Sequence, residues 1–320
     1  MSAVRRVAAI DIGTVTTRLL VADVSAGGIT EVHRSTDITH LGERLTATGR
    51  LSDAAMGRVV AVVARYAADI ERLGAEAVRA IATSAARDAA NGAEFEALLA
   101  ARGIVPEVVA GELEARLAFS GATYAISGEG LLVNDIGGGS TELVLGRRVA
   151  EGSAAGSEVL AADSIDVGSR RVTDRFLRSD PPADDEIAAA REWVRGELAP
   201  YFSALPTPPR VSIALAGTAT TLSAIRQDLA VYDPTRVHGS TLTRDEITSI
   251  FERLAPLPLE RRAAEVAGLD PGRAPVIVAG SLILMSVLEG AGLDSTLVSE
   301  HDILYGILLD AYARLENSGG

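Results

Sequence analysis

The strongest constraint in this chain is a strand–turn–strand unit that occurs twice. Val7-Ala8-Ala9-Ile10-Asp11-Ile12 is an apolar run that stops at Gly13-Thr14 and resumes as Leu19-Leu20-Val21-Ala22. Leu131-Leu132-Val133-Asn134-Asp135-Ile136 does the same at Gly137-Gly138-Gly139-Ser140-Thr141, ahead of Leu143-Val144-Leu145. At an offset of 124 residues Asp11 falls on Asp135, Gly13 on Gly137, Thr16 on Ser140, Thr17 on Thr141 and Leu19 on Leu143. A device repeated about one domain apart marks an internal repeat of architectural scale, and the 320 residues suffice for two cores.

Around each copy, strands and helices alternate. A third strand is expected near Ile29 to His33 after a Gly27-Gly28 turn, and Ser52 caps a helix that ends before Gly74. That helix keeps Met56, Val59, Val63, Tyr66, Ile70 and Leu73 at three-to-four spacing. Strands near Val78 to Ala82 and Ile104 to Val109 alternate with helices near Ala93 to Arg102 and Glu112 to Tyr124. After the second hairpin come helices near Val167 to Leu177, Asp184 to Phe202, Arg244 to Leu254 and Ala274 to Gly290, with a strand at Val211 to Ala216. Thr243 and Glu246 form a capping box at the third of these helices. The domain boundary falls near residue 125.

Composition narrows the chemistry. There is no cysteine, which removes disulfides, thiol catalysis and cysteine-ligated metals. There is no lysine either, so all 30 basic residues are arginine, and Schiff-base chemistry and Walker-type phosphate loops are excluded. A formal net charge of −13 speaks against non-specific binding to nucleic acid or an anionic membrane. A polyanionic ligand then needs local positive potential from arginines, helix N-termini or a metal ion. The four histidines, His33, His40, His238 and His301, show no metal-ligand spacing. No apolar stretch long enough for a signal peptide precedes Asp11, and the most apolar segment, Ala274 to Leu288, is too short to span a bilayer. The expectation is a soluble, cytoplasmic protein.

Glycines at a hairpin tip let backbone N–H groups approach a phosphate, and hydroxyls add donors. Gly13, Thr14, Gly137, Gly138, Gly139, Ser140 and Thr141 are therefore candidate phosphate ligands; a plain hairpin is the alternative, which duplication disfavours. Asp135 and Glu142, on two arms of one hairpin, either converge on Mg²⁺ or are unrelated surface carboxylates. A third turn, Gly217-Thr218, lies between strand and helix, where N–H groups bind an anion or Gly-Thr simply caps. Thr83 or Ser84 caps a helix whose Arg87, one turn in, points at an oxyanion or at solvent. Gly111-Glu112-Leu113-Glu114 opens another helix, and acids there either serve the dipole or activate a water.

The duplicated hairpin with a third Gly-Thr turn resembles the actin, hexokinase and heat-shock chaperone superfamily. Within it, Asp135-Ile136-Gly137-Gly138-Gly139-Ser140-Thr141-Glu142 is similar to the signature of the exopolyphosphatase and guanosine pentaphosphate phosphohydrolase family. So are Ala9-Ile10-Asp11-Ile12-Gly13, Thr83 to Arg87, Gly111 to Arg116 and Ala216-Gly217-Thr218, in family order from about residue 7 to 306. The resemblance implies two actin-like (ribonuclease H-like) α/β domains with a ligand cleft between them. Residues 1–125 with a C-terminal helix at about 303–320 would form the first, and 126–302 the second. It implies hydrolysis of terminal phosphate from inorganic polyphosphate by a homodimer using Mg²⁺. Glu114 then activates the attacking water, Asp135 and Glu142 bind the metal, and Arg87, Gly138, Gly139 and Ser140 contact phosphate.

Three departures stand out. Leu113 replaces the first of two adjacent glutamates, and Leu304-Tyr305-Gly306 stands where the family commonly shows Arg-Glu-Gly. The chain stops at 320 without the extra helical domain of longer members, which favours short polyphosphate. Guanosine pentaphosphate hydrolysis on the same site is the alternative enzyme, and Arg18, able to reach a nucleotide or a distal phosphate, bears on that choice. A sensor that binds polyphosphate or guanosine tetraphosphate is the alternative outside enzymes.

Overall fold

Six consecutive buried residues, Val7 to Ile12, require a strand covered on both faces, and β1 (Arg5–Ile12) takes that place. The computed structural model describes residues 4–25, 28–148 and 157–318, so the Gly27 half of the expected turn lies outside the described residues. The chain divides into two compact units. Among the described residues the first holds 4–127, Arg148, Ser157 and 302–318, and the second holds 128–147 and 158–301. Ile126 and Ser127 thus stay with the first unit, beyond the boundary expected at 125; the Ile126 amide donates to the Thr123 carbonyl at 3.1 Å and prolongs the end of a helix.

In the first unit, β1 pairs antiparallel with β2 (Thr16–Ser25) and parallel with β4 (Ala77–Ala82). With β3 (Gly28–Ile38) and β5 (Glu107–Val108) the sheet order is β3-β2-β1-β4-β5. Helices α1 (Leu45–Thr48) and α2 (Asp53–Leu73) follow β3. α2 lays Met56, Val59, Val63, Tyr66 and Ile70 into one core with Ala8, Ile10, Ile12, Leu19 and Val21. Ser52 Oγ accepts from the Ala55 amide at 3.2 Å, and Gly74, at φ 69°, ends the helix in the left-handed region where glycine carries no Cβ penalty. Helices α3 (Ser84–Asp88), α4 (Gly92–Ala100) and α5 (Gly111–Ala122) come next in the chain. The last helix, α13 (Ile303–Ser318), returns to pack on β1, β2, β4 and α5. α5 and α13 touch backbone to backbone: a Cβ at Gly121 would lie 1.9 Å from the Asp302 carbonyl oxygen, and one at Gly306 would lie 1.9 Å from that of Leu117. Gly306 of the departing Leu304-Tyr305-Gly306 segment is thus required by packing.

The second unit repeats the plan. β6 (Gly128–Ile136), β7 (Thr141–Arg148) and β8 (Ser157–Ile165) precede α6 (Ser169–Phe176) and α7 (Asp184–Ser203). β9 (Val211–Leu215), α8 (Ala216–Arg226), α9 (Pro234–Val237), β10 (Thr241–Thr243), α10 (Arg244–Leu254), α11 (Leu259–Glu265), α12 (Ile277–Ala291) and β11 (Ser295–Val298) complete it. The sheet order is β10-β11-β9-β6-β7-β8. Read from β8 inward, β8-β7-β6-β9-β11 has the strand order of β3-β2-β1-β4-β5, with antiparallel β10 added at the edge. The apolar segment near 274–288 is α12, most of whose residues are buried, and no helix among the described residues is long and apolar enough to cross a membrane.

Candidate active site

Both hairpins close in the same way. The Gly13 amide donates to the Thr16 carbonyl at 2.8 Å, and the Gly137 amide donates to the Ser140 carbonyl at 3.0 Å. A Cβ at either glycine would stand 3.2 Å from that acceptor, so the duplication extends to the geometry of the turn.

In the first unit, Glu114 sits in the first turn of α5 and is only 7% exposed. Arg87, at the end of α3, donates from Nη1 to Glu114 Oε2 at 3.3 Å and to the Val109 carbonyl at 3.1 Å. Glu112 instead points outward and pairs with Arg116 at 3.0 Å across one helical turn. An acid that only serves the helix dipole has no reason to be buried, because burial penalises its charge. The dipole role therefore fits Glu112, and Glu114 is the carboxylate held in place beside an arginine. Thr83 precedes α3 without a side-chain cap bond, and Ser84 Oγ donates to Asp88.

Arg18 meets different partners from those its position suggests. Its Nε and Nη2 donate to Asp11 Oδ2 at 3.0 and 2.6 Å, and its Nη1 donates to Asp302. The guanidinium expected to reach a distal phosphate is thus held between two carboxylates. Burial pushes the Asp11 carboxyl above its ordinary range, and Arg18 pulls against that rise. Asp302 also accepts from the Leu304 amide at 2.9 Å, so one side chain caps α13 and ties it to the first hairpin. Sequence reading missed Asp302 because its partner lies 284 residues away. Thr14 is buried, with its methyl toward Gly42.

In the second unit, Asp135 is the penultimate residue of β6 and Glu142 the second residue of β7, 7% and 3% exposed. Ser164 Oγ on β8 donates to Glu142 Oε1 at 2.7 Å. Gly138, Gly139 and Ser140 form the turn between the two acids, and Ser140 is buried. The Thr141 hydroxyl donates to the Val167 carbonyl, which turns it toward the protein. Gly217 and Thr218 lie inside α8, whose first residue, Ala216, has φ 57°. Thr218 Oγ1 donates to the Ile136 carbonyl at 3.3 Å, joining the third turn to the second hairpin. A Cβ at Gly217 would fall 2.1 Å from the Arg273 guanidinium carbon, so an arginine that sequence reading did not single out lies directly over this glycine.

No group of three or more His, Asp or Glu side chains suited to a metal occurs among the described residues. Two buried carboxylates flanking a phosphate-type turn nevertheless fit a hard cation that takes its other oxygens from water and phosphate, as Mg²⁺ commonly does.

The chain matches the Ppx/GppA phosphatase family over residues 20–312. Exopolyphosphatase 2 of Mycobacterium tuberculosis (strain CDC 1551 / Oshkosh) is 41% identical, with 96% of this chain and 98% of that one covered. The crystal structure of the Aquifex aeolicus family member superposes with a TM-score of 0.81 at 32% identity, covering 98% of this chain and 99% of that one. A crystal structure described as an exopolyphosphatase-like protein superposes with a TM-score of 0.90 at 34% identity, covering 98% and 99%. With two α/β units built on one repeated hairpin and a match across nearly its whole length, this chain belongs to the Ppx/GppA phosphatase family.

Proposed function

We propose that this chain is an exopolyphosphatase that removes the terminal phosphate of inorganic polyphosphate by attack of water. The observation that carries the reading is the buried Glu114, fixed in the first turn of α5 and bonded to Arg87. In this reading Glu114 accepts the proton of the attacking water. The oxygen bonds to the terminal phosphorus, the bridging P–O bond breaks, and the shortened chain leaves with inorganic phosphate as the other product. Arg87 orients the carboxylate and offers its guanidinium to phosphate oxygens. The amides of Gly138, Gly139 and Ser140 hold phosphate oxygens, and Gly13 with Thr14, and Gly217 with Thr218, are the corresponding positions of the other two turns. Arg18 serves to hold Asp11.

Asp135 and Glu142 would hold a divalent cation, proposed as Mg²⁺, which when bound neutralises phosphate charge. The relative named exopolyphosphatase supports this reading, and nothing favours guanosine pentaphosphate over polyphosphate. The test is phosphate release from polyphosphate of several lengths, with and without Mg²⁺, beside guanosine pentaphosphate as substrate and guanosine tetraphosphate as inhibitor. Release from polyphosphate at the faster rate is expected; release from guanosine pentaphosphate alone would overturn it.

A further inference from the structure

Three consecutive carbonyls of the second turn are all tied to one short stretch, 169–171, at the start of α6. The Gly137 carbonyl accepts from the Ser169 amide at 2.9 Å and from Ser169 Oγ at 3.1 Å. The Gly138 carbonyl accepts from the amides of Arg170 and Arg171 at 2.9 and 3.1 Å, and the Gly139 carbonyl accepts from Arg171 Nε at 2.8 Å. Helix amides that would otherwise lack partners are thereby spent on the turn, so this helix start is not itself the anion site. The approach is close: a Cβ at Gly168 would lie 2.3 Å from the Gly138 carbonyl oxygen and 2.4 Å from the Gly139 carbonyl carbon.

A trans peptide is planar, with its C=O and N–H on opposite sides. Tying the carbonyls of Gly137, Gly138 and Gly139 to α6 therefore turns the next three amides, those of Gly138, Gly139 and Ser140, away from α6. None of these amides donates to a backbone carbonyl among the described residues. From this we infer that Ser169 and Arg171 are positioning residues that preset the phosphate-binding amides of the second turn. Arg171 acts through the Gly139 peptide and not on the phosphate. Its charge on that carbonyl also polarises the peptide and strengthens the Ser140 N–H as a donor. Amides aimed before the anion arrives need no reorganisation when it binds. This inference rests on the reading of Gly137–Ser140 as a phosphate site.

The decisive variants are Arg171→Ala, Arg171→Gln and Ser169→Ala. Arg171→Ala should raise the KM for polyphosphate and the inhibition constant of inorganic phosphate by about tenfold, the worth of one well-placed hydrogen bond. Its kcat should stay within about threefold of wild type, and its Mg²⁺ titration should be unchanged. Arg171→Gln keeps an N–H donor for the Gly139 carbonyl without the charge and should recover part of the loss. Ser169→Ala, which retains the backbone bond, should shift both constants in the same direction by less. If Arg171→Gln is as impaired as Arg171→Ala, the guanidinium touches phosphate directly and the inference falls. A lowered Tm with unchanged KM and inhibition constant makes the clamp merely structural and also overturns it. Calorimetry with methylenediphosphonate separates this inference from the enzymatic reading. Binding by wild type that weakens in Arg171→Ala supports the clamp even if polyphosphate is not hydrolysed. Absence of binding by wild type would overturn the anion site and the clamp together.

Discussion

The two hairpins share a sequence pattern and a closing hydrogen bond, yet they are braced by different means. Behind the first turn, loop amides do the work: Thr39 and His40 donate to the Val15 carbonyl at 2.8 and 2.9 Å, and Gly42 donates to the Thr14 carbonyl at 2.9 Å. Behind the second, a helix start and an arginine side chain take three carbonyls. The aspartates differ as well. Asp11 is engaged by Arg18 across the hairpin, whereas Asp135 has no arginine at the equivalent place, because the residue matching Arg18 is Glu142. One copy therefore carries an acid–base pair and the other two acids. The first arrangement spends its arginine on carboxylates, and the second is the one that, under the proposed function, would hold the cation.

The largest effect should follow from removing the proton acceptor. Glu114→Gln keeps size and hydrogen bonding, and kcat should fall by roughly 10²–10⁴-fold while polyphosphate still binds in calorimetry. Glu112→Gln, at an exposed site, should leave kcat unchanged. Loss of turnover at Glu112 alone would move the base to that residue.

Next in size are the matched aspartates. Asp135→Asn and Glu142→Gln should each move the Mg²⁺ titration midpoint upward, on the order of 10–100-fold. Asp11→Asn should leave the midpoint where it is, since Asp11 is occupied by Arg18. Equal shifts in all three variants would erase the distinction between the hairpins.

The repeat itself was legible because apolar runs ending in Asp-Ile-Gly are local signals, and so was α2, with its serine start and glycine stop. Arg244–Leu254 was found to the residue because its capping box, Thr243 with Glu246, is written within four consecutive residues. Weaker elements were not. β8 mixes polar, small and apolar residues without a regular alternation of apolar and polar positions and is buried only at Ile165, and β10 and β11 span three and four residues. The strand expected from Ile104 shrinks to Glu107–Val108, since Pro106 lacks an amide for the ladder and Val105 is exposed. At the site, sequence proximity gave the turns and both glutamates, the family resemblance picked Glu114, and burial supplies the physical difference between Glu114 and Glu112. Asp302 on Arg18 and Arg171 on Gly139 are tertiary contacts with no local pattern to announce them.

The bracing of the two turns can be compared through the glycines behind them. A Cβ at Gly168 would meet backbone atoms of Gly138 and Gly139, which cannot move without opening the turn. A Cβ at Gly42 would meet the Thr14 Cγ2 methyl at 2.3 Å, the end of a side chain that can rotate. Gly168→Ala should cost about 1–3 kcal/mol in denaturant unfolding and raise the KM. Gly42→Ala should cost less, and Thr14→Ser, which deletes that methyl, should restore it. A Gly42→Ala variant as damaged as Gly168→Ala would show that both turns are equally rigid.

The smallest effect concerns pH and the buried pair in the first hairpin. Burial raises the folded-state pKa of Asp11, with Arg18 opposing the rise. A carboxyl that holds its proton more tightly in the folded state makes folding less favourable as pH climbs from the ordinary carboxylate value through the raised one. Its contribution is greatest at acid pH, is lost across that window and is absent above it. Asp11→Asn removes this titration, so the stability of the variant relative to wild type should rise with pH across the window and be flat above it. Arg18→Met should act in the opposite sense. Without the guanidinium, Asp11 and Asp302 lose their common partner, the Asp11 pKa climbs further, and the deficit against wild type should grow as pH increases. Chemical denaturation from pH 4 to pH 8 checks both slopes. A deficit for Arg18→Met that stays flat or shrinks toward high pH would show that Arg18 does not pull the Asp11 pKa down, and the ion-pair account of the first hairpin would fall.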